Sequence, residues 1–230
     1  MSSKRSKVDA SSSASDDASD ADFGKLEKAL KAFDEKREVV IKKSRDVQKA
    51  AKQAIYSIQR LDISKANSLL SQCEDISNKD IFPLVNEDSD LRPGSFTNAI
   101  EEYVEAILFK HFCENSQARR PMLFDEVPLK INAEEYLGGL MDCCGEIQRR
   151  AVLQATKGAV EEVERCREYV DYTMGRVLLF DFRNGSLRKK SDSIKWVLKR
   201  IEEVLFDLKV GGRMKSEVPA AAAPAPSEGE

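Results

Sequence analysis

The sequence predicts an all-α fold, and three observations support that prediction. Apolar residues recur every three to four positions along most of the chain between residues 23 and 212. No stretch alternates apolar and polar residues over a useful length, as a strand would. Charged residues make up 33% of the chain and hydrophobic residues 41%, a balance that is ordinary for amphipathic helices. The 230 residues are enough for one sizeable helical domain with a tail at each end.

The first 22 residues are predicted to form a disordered tail. They are rich in Ser and Asp and contain too little apolar surface to order themselves. Lys4, Arg5 and Lys7 make a short basic cluster that is a candidate nuclear-import patch. We expect no secretory segment here, and no apolar run approaches the roughly 18 residues that cross a bilayer. The predicted location is the cytoplasm, with the nucleus as a second compartment and no membrane partner.

Residues 23–61 are predicted to form one long helix. Its apolar seam consists of Leu26, Leu30, Phe33, Val40, Val47, Ala51, Ala54 and Ile58. The opposite face carries a set that we term the basic stripe: Lys42, Arg45, Lys49, Lys52, Tyr56 and Arg60. One interpretation of this stripe is a solvated charged face. The other is a surface that follows the phosphates of a nucleic acid and stacks one base on the aromatic ring.

The formal net charge of −3 arises in the two tails. Residues 1–22 carry three basic and five acidic residues, and residues 213–230 carry two basic and three acidic ones. Residues 23–212 therefore have no net charge, so a polyanion would have to bind to a local basic surface. We expect such binding to be weaker and more sensitive to salt than binding by a basic protein.

Residues 98–113 are predicted to form a helix with two acids opposite its apolar stripe. The stripe consists of Ile100, Tyr103, Val104, Ile107 and Leu108. Glu102 and Glu105 share the other side with Ala106, Phe109 and Phe112. A solvated surface is the simplest interpretation of the acids. Phenylalanines seldom face only water, however, so this side is expected to meet another element or to line a cavity.

A second acidic helix, from about residue 133 to about residue 158, repeats this design. Asp142 and Glu146 are four residues apart, and Glu135, Gly138 and Arg149 lie on the same face. Glycines at 138, 139 and 145 each weaken a helix by roughly 1 kcal/mol relative to alanine, which indicates close approach of another element. Four carboxylates from two helices suit a hard divalent cation such as Mg²⁺.

Shorter segments connect these helices. Residues 63–84 are predicted to be helical, and Pro83 with residues 86–94 is expected to break the chain before the first acidic helix. Residues 116–132 are predicted to form a loop, and residues 159–180 another helix.

The last helix has a heptad seam. Leu187, Ile194, Ile201 and Leu208 are spaced by seven residues, which favours packing on a partner helix within the chain or from another subunit. We expect assembly to run through this seam. Gly211 and Gly212 are expected to end the helix, and the Pro/Ala-rich residues 213–230 to form a second disordered tail.

Cysteine and histidine content excludes several kinds of site. The five cysteines have no CxxC spacing, so neither a disulfide framework nor a zinc site is indicated. His111, the single histidine, lies on an apolar stripe and is expected to be a satisfied core residue. Without a second histidine, a paired-histidine ribonuclease and a His-bearing triad are excluded, so hydrolysis would depend on carboxylates and metal. A di-iron bundle would need ExxH pairs, which the sequence lacks.

Four blocks resemble the translin family. EYVEAILFKHF at residues 102–112 and EYLGGLMDCCGE at residues 135–146 are most similar to its TRAX (translin-associated factor X) branch. Residues 44–60 resemble the first TRAX helix, whereas residues 185–210 resemble the family's last helix and are closer to translin. The blocks follow the family's order, so residues 23–212 are predicted to form one translin-family domain. TRAX chains often carry a longer insertion near residues 116–132, which is absent here.

The resemblance implies an antiparallel multi-helix bundle and a TRAX-like catalytic subunit. Such subunits assemble with translin into a closed oligomer that cuts single-stranded RNA in RNA silencing and tRNA fragment processing. Glu102, Glu105, Asp142 and Glu146 fall on the family's metal and catalytic positions, with Mg²⁺ as cofactor. The basic stripe and Arg149 would bind the nucleic acid.

The alternative is a translin-like subunit that binds single-stranded RNA or DNA without cutting it. The expected oligomer partner is a translin-like subunit or a second copy of this chain. The last helix favours this alternative, whereas the four acids argue against it, because translin lacks them.

Overall fold

The computed structural model describes the backbone of residues 9–216 and the side chains of residues 20–211. Within this part of the chain the structure is helical, without β-strands, which confirms the predicted fold class. The helices are α1 (Asp9–Gln59), α2 (Ile63–Ile76), α3 (Phe82–Glu87), α4 (Ser95–Glu114), α5 (Ala133–Ala155), α6 (Val160–Val177) and α7 (Ser186–Ser216). A π-helical turn, Ser77–Ile81, joins α2 to α3. None of the described helices has the length and apolarity needed to cross a membrane.

The bundle consists of two groups of helices joined by one central pair. α1 packs on α2 and α4, α5 packs on α6 and α7, and α4 packs on α5 between the groups. A tight turn after α1, in which Leu61 has φ 62°, reverses the chain and lays α2 along α1. The central α4–α5 pair brings together the two helices that carry the four predicted acids.

The first helix begins 14 residues earlier than predicted. α1 starts at Asp9, so residues 9–22, predicted to be disordered, are helical. Four alanines in this segment favour a helix, and Asp9 lies at the helix N-terminus, where the helix dipole favours a negative charge. The first core residue of α1 is Val40, and Leu26 and Leu30 of the predicted seam are exposed. Residues 1–8, with the candidate import patch, lie outside the described residues.

The last helix continues past its predicted end. α7 runs through Gly211 and Gly212 to Ser216, so the first four residues of the predicted C-terminal tail are helical. Glycine commonly ends a helix by adopting the left-handed conformation, whereas both of these glycines remain helical. Residues 217–230 lie outside the described residues.

The heptad seam of α7 is buried within the subunit. Ile194 and Ile201 are almost inaccessible to solvent, and Leu187 and Leu208 pack against the same core. α5 and α6 cover this face. The expectation that assembly runs through the seam is therefore wrong, because two helices of the same chain already occupy it. The exposed apolar side chains of α7 are instead Trp196 and Phe206.

Three local predictions have mixed outcomes. Pro83 lies in the first turn of α3, where its missing N–H does no harm, so the helical segment extends to Glu87. The cysteines are free thiols, and all but Cys113 are buried, as expected of small apolar residues. The prediction of a satisfied core histidine is wrong for His111, which is only half-buried and whose Nδ1 has no hydrogen-bond partner among the described residues.

Candidate functional site

Two glycines allow α4 and α5 to approach closely at the predicted acids. A Cβ atom on Gly138 would lie 2.5 Å from Glu101 Cδ, and one on Gly139 would lie 2.5 Å from the Glu101 carbonyl oxygen. Neither position has room for a side chain, which confirms the close approach predicted for these glycines. Gly145 has open space around it, so the same prediction is wrong there.

The four predicted acids form one half-buried group, which we term the carboxylate cluster. Burial raises the pKa of Glu105 to about 8, and the neighbouring charges of Glu102, Asp142 and Glu146 add to the effect. The pKa of Glu102 is also raised, first by burial and then by Asp142 and Glu146, against the lowering effect of Lys52. The four acids therefore lie close enough to influence one another's pKa values.

Three of the four carboxylates have polar partners from other parts of the bundle. Glu102 Oε2 lies 3.8 Å from Lys52 Nζ. Asp142 Oδ2 accepts a hydrogen bond of 2.5 Å from Lys190 Nζ. Glu146 Oε2 accepts one of 2.8 Å from Gln59 Nε2, and Arg149 Nη1 is 3.7 Å away. The cluster is thus held by α1 on one side and by α7 on the other.

Sequence reasoning missed Lys190 and its second partner, Glu101. Lys190 Nζ lies 2.6 Å from Glu101 Oε2 and 3.5 Å from the Gly138 carbonyl oxygen. Burial alone would lower the pKa of Lys190, but hydrogen bonds to Asp142 and Glu101 raise it above its ordinary value. One signal was available: Lys190 is three residues after Leu187 and four before Ile194, so it lies on the buried side of α7.

Glu135 belongs to the framework of the site. It is fully buried, and the Arg92 guanidinium donates to both of its carboxylate oxygens at 2.9 and 2.7 Å. It also accepts from the Asn132 backbone N–H, while the Asn132 side chain accepts from the Glu135 N–H. This reciprocal capping fixes the start of α5 and hence the position of Asp142 along the helix.

The carboxylate cluster fits a hard divalent cation in charge and donor chemistry. Its donors are oxygens, as Mg²⁺ requires, and a bound cation would offset the repulsion among the acids that, after burial, raises the pKa of Glu105. Among residues 20–211, however, no three His, Cys, Asp or Glu side chains are gathered as a ready-made metal site. Lysine and amide groups contact three of the acids instead, so the side chains would have to turn to hold an ion.

The basic stripe lies along the exposed face of α1, beside the carboxylate cluster. All six of its side chains are exposed. The Arg60 guanidinium lies 5.5 Å from the centre of the Tyr56 ring, and its Nη1 donates to the Tyr56 hydroxyl at 3.3 Å. Lys52 connects the stripe to Glu102, and Arg149 is exposed next to Glu146. The predicted nucleic-acid-binding residues thus lie on α1, in the turn directly after it (Arg60) or at the edge of the cluster (Arg149).

Solved structures share this fold. The crystal structure of apo-NeC3PO matches with a TM-score of 0.71 and 20% identity, covering 81% of this chain and 96% of that one. The structure of an AfC3PO–duplex RNA complex matches with a TM-score of 0.70 and 22% identity, covering 82% and 97%. At these identities the likeness establishes the fold.

Curated relatives carry two names. Translin of Gallus gallus is 33% identical over 85 residues, and translin of Homo sapiens is 29% identical over 90 residues. These matches cover 37% and 39% of this chain and only 37% and 40% of those proteins. Translin-associated protein X of Pongo abelii is 23% identical over 233 residues, covering 86% of this chain and 79% of that protein. The Translin family model matches residues 35–212, well over half of the sequence, and the chain therefore belongs to the translin family.

Proposed function

We propose that this chain is a TRAX-like catalytic subunit of a Mg²⁺-dependent endoribonuclease that cleaves single-stranded RNA within a translin-containing oligomer. The observation that supports this proposal best is the position of the carboxylate cluster directly beside the basic stripe, where Lys52 Nζ lies 3.8 Å from Glu102 Oε2. A strand whose phosphates follow α1 would pass within reach of the four acids. The likeness to C3PO structures, one of them in complex with duplex RNA, agrees with an RNA substrate.

The chain's own residues divide the work of binding and chemistry. Lys42, Arg45 and Lys49 would bind successive phosphates, and Tyr56 would stack on a base. Glu102, Glu105, Asp142 and Glu146 would hold Mg²⁺, which when bound lowers the pKa of water and offsets charge on the scissile phosphate. At neutral pH in the metal-free protein, Glu105 holds a proton because its pKa is about 8.

A second candidate function is that of a translin-like subunit, which binds single-stranded RNA or DNA without catalysis and assembles with itself or with a partner. The sequence identity to translins is higher than the identity to translin-associated protein X, although it covers a smaller part of the chain, and it favours this alternative. So does the similarity of the last helix to translin. Catalysis decides between the two functions, because both predict binding at the basic stripe.

The test is cleavage of end-labelled single-stranded RNA by the full chain, alone and with a translin-family partner. Activity should require Mg²⁺, stop with EDTA and give 5′-phosphate and 3′-hydroxyl ends. Glu105→Gln should lower kcat by several powers of ten, while Glu202→Gln, which removes an exposed charge on α7, should leave it unchanged. A cyclic 2′,3′-phosphate product would contradict a water nucleophile. Tight RNA binding without cleavage under every condition would establish the second function.

A further inference from the structure

Lys190 places an ammonium group against the carboxylate cluster. Its Nζ has three acceptors, one for each N–H bond: Glu101 Oε2 at 2.6 Å, Asp142 Oδ2 at 2.5 Å and the Gly138 carbonyl oxygen at 3.5 Å. Its side chain is 24% exposed, so it is largely withdrawn from water. The ammonium therefore pairs with Asp142, one of the proposed metal ligands, and neutralises part of the negative charge of the carboxylate cluster.

Glu101 is a partner of Lys190 that lies outside the carboxylate cluster. It approaches α5 so closely that a Cβ atom on Gly138 would meet its carboxylate carbon at 2.5 Å and its oxygens at 2.7 and 2.9 Å. Gly138 thus provides both the space for Glu101 and a carbonyl acceptor for Lys190. The contact between Glu101 and Lys190 depends on this glycine and involves no member of the carboxylate cluster.

We infer that Lys190 is a positioning residue that acts as an exchangeable internal counter-ion. It holds Asp142 in the metal-free protein, and it releases Asp142 to a divalent cation while remaining paired with Glu101. A half-buried ammonium left without a partner would be strongly unfavourable. Glu101 prevents this, so that Asp142 can exchange one cation for another at little cost. The inference rests on the proposed function, because it takes Asp142 as a ligand of Mg²⁺.

Two substitutions should change metal affinity in opposite directions. Lys190→Met removes the competing cation and should tighten divalent-ion binding by at least about tenfold, since unit charges about 4 Å apart interact strongly at a partly buried site. Glu101→Gln leaves Asp142 as the only charged partner of the ammonium and should weaken binding by a similar factor. In the Lys190→Met background, Glu101→Gln should have little effect, because Glu101 acts through Lys190.

The experiment measures Mn²⁺ affinity in the full-length chain from the EPR signal of free Mn²⁺, with Mg²⁺ as competitor. Lys190→Arg keeps the charge and should bind like the wild type. Lys189→Met removes the exposed neighbouring charge and serves as the matched control. Asp142→Asn should abolish the measured binding and so assign it to the cluster. Lys190→Gln, with its amide donor, replaces Lys190→Met if circular dichroism shows that the methionine variant is unfolded.

The outcomes separate this inference from the proposed function. Tighter Mn²⁺ binding in Lys190→Met, with Lys189→Met unchanged, supports the counter-ion role. Wild-type binding that Lys190→Met leaves unchanged or weakens overturns the inference and leaves the proposed metal site in place. If Glu101→Gln changes Mn²⁺ affinity by the same factor in the wild type and in Lys190→Met, Glu101 does not act through Lys190 and its specific role is overturned. Absence of binding in the wild type and in every variant overturns the Mg²⁺ site and the inference together.

Discussion

Lys52 Nζ lies 3.8 Å from Glu102 Oε2, and this contact joins the exposed face of α1 to the interior pair α4 and α5. The Lys52 side chain is 60% exposed, whereas that of Glu102 is 19% exposed, so the pair joins the protein surface to the half-buried carboxylate cluster. A phosphate bound to Lys52 would replace one anionic partner by another and would lie next to the carboxylate cluster. From this arrangement we derive separate predictions for RNA binding, for the free energy of unfolding and for the packing of α4 on α5.

Neutralising the basic stripe should weaken RNA binding and flatten its salt dependence. Replacing Lys42, Arg45, Lys49 and Lys52 by Gln removes four exposed cations. For a single strand, the slope of log affinity against log salt should fall by about 0.7 for every phosphate that is no longer neutralised. Fluorescence anisotropy at several salt concentrations measures this slope. A control variant neutralises four exposed lysines elsewhere: Lys28, Lys65, Lys130 and Lys157. Equal effects of the two variants would show that only overall charge matters.

Tyr56 should contribute to binding by stacking. Its side chain is 57% exposed, so a base can reach the ring, and the Arg60 guanidinium lies over the ring at 5.5 Å from its centre. Tyr56→Leu should weaken binding of single-stranded RNA by about 1–3 kcal/mol without changing the salt slope, because the substitution removes no positive charge. Tyr56→Phe keeps the ring and should bind nearly as well as the wild type. An equal loss of affinity in both variants would point to the hydroxyl instead of the ring.

Sequence periodicity predicted the faces of the helices well. The basic stripe is exposed as the pattern indicated, and Ile100, Tyr103, Val104 and Leu108 are fully buried in α4. Spacing of three and four residues determines which side chains share a helix face. Because the apolar face is buried, the opposite polar face is directed toward solvent. The grouping of Glu102 and Glu105 with Asp142 and Glu146 followed from this rule and from the two small residues between the helices.

Features that depend on which helices meet were not predictable from one sequence. The heptad seam of α7 indicated a partner helix, but only the bundle shows that α5 and α6 supply it. The contact between Lys190 and Asp142 joins residues 48 positions apart, and the spacing within α7 places Lys190 on the buried side without indicating which residue it meets. The start of α1 and the end of α7 also differ from the prediction. Helix propensity near Asp9 and near Gly211 is weak, so the local sequence does not determine where these helices begin or end.

Glu105→Gln should stabilise the metal-free protein, with a defined dependence on pH. Burial and three neighbouring acids raise the folded-state pKa from 4.5 to about 8. Below pH 4.5 both states hold the proton and the variant gains little. Between these values the unfolded state loses its proton first, so wild-type stability falls as pH rises, and above pH 8 the loss is complete. We expect the variant to be more stable by on the order of 2 kcal/mol at pH 8 and nearly equal to the wild type at pH 4.5.

Thermal unfolding in EDTA measures this difference, and Glu202→Gln is the control for removal of an exposed charge. Added Mg²⁺ should reverse the order, because the wild type offers the ion one more charged ligand. A variant that is less stable than the wild type at pH 8 in EDTA would show that the Glu105 carboxylate makes a favourable contact instead of a repulsive one.

The three glycines of α5 should respond to alanine in a graded way. The Cβ of Gly139→Ala would lie 2.5 Å from the backbone carbonyl oxygen of Glu101, which cannot move unless α4 moves. This variant should lose about 1–3 kcal/mol of unfolding free energy, the usual effect of overpacking. Gly145→Ala meets nothing within 4 Å and should gain roughly 0.5–1 kcal/mol from its better helix propensity. The two variants share one helix and one chemical change, so each is the control for the other.

Gly138→Ala should fall between these two variants in stability and differ from both at the site. Its Cβ would meet the carboxylate end of Glu101, which can rotate away, so the loss of unfolding free energy should be smaller than for Gly139→Ala. The rotation would remove the 2.6 Å contact of Glu101 with Lys190 and leave the ammonium with Asp142. We therefore expect Gly138→Ala to weaken Mn²⁺ binding while Gly145→Ala leaves it unchanged, with thermal unfolding and EPR as the two measurements. A Gly138→Ala variant that is destabilised as much as Gly139→Ala would mean that Glu101 is held too firmly to turn, and the close approach would then be a requirement of the α4–α5 backbone alone.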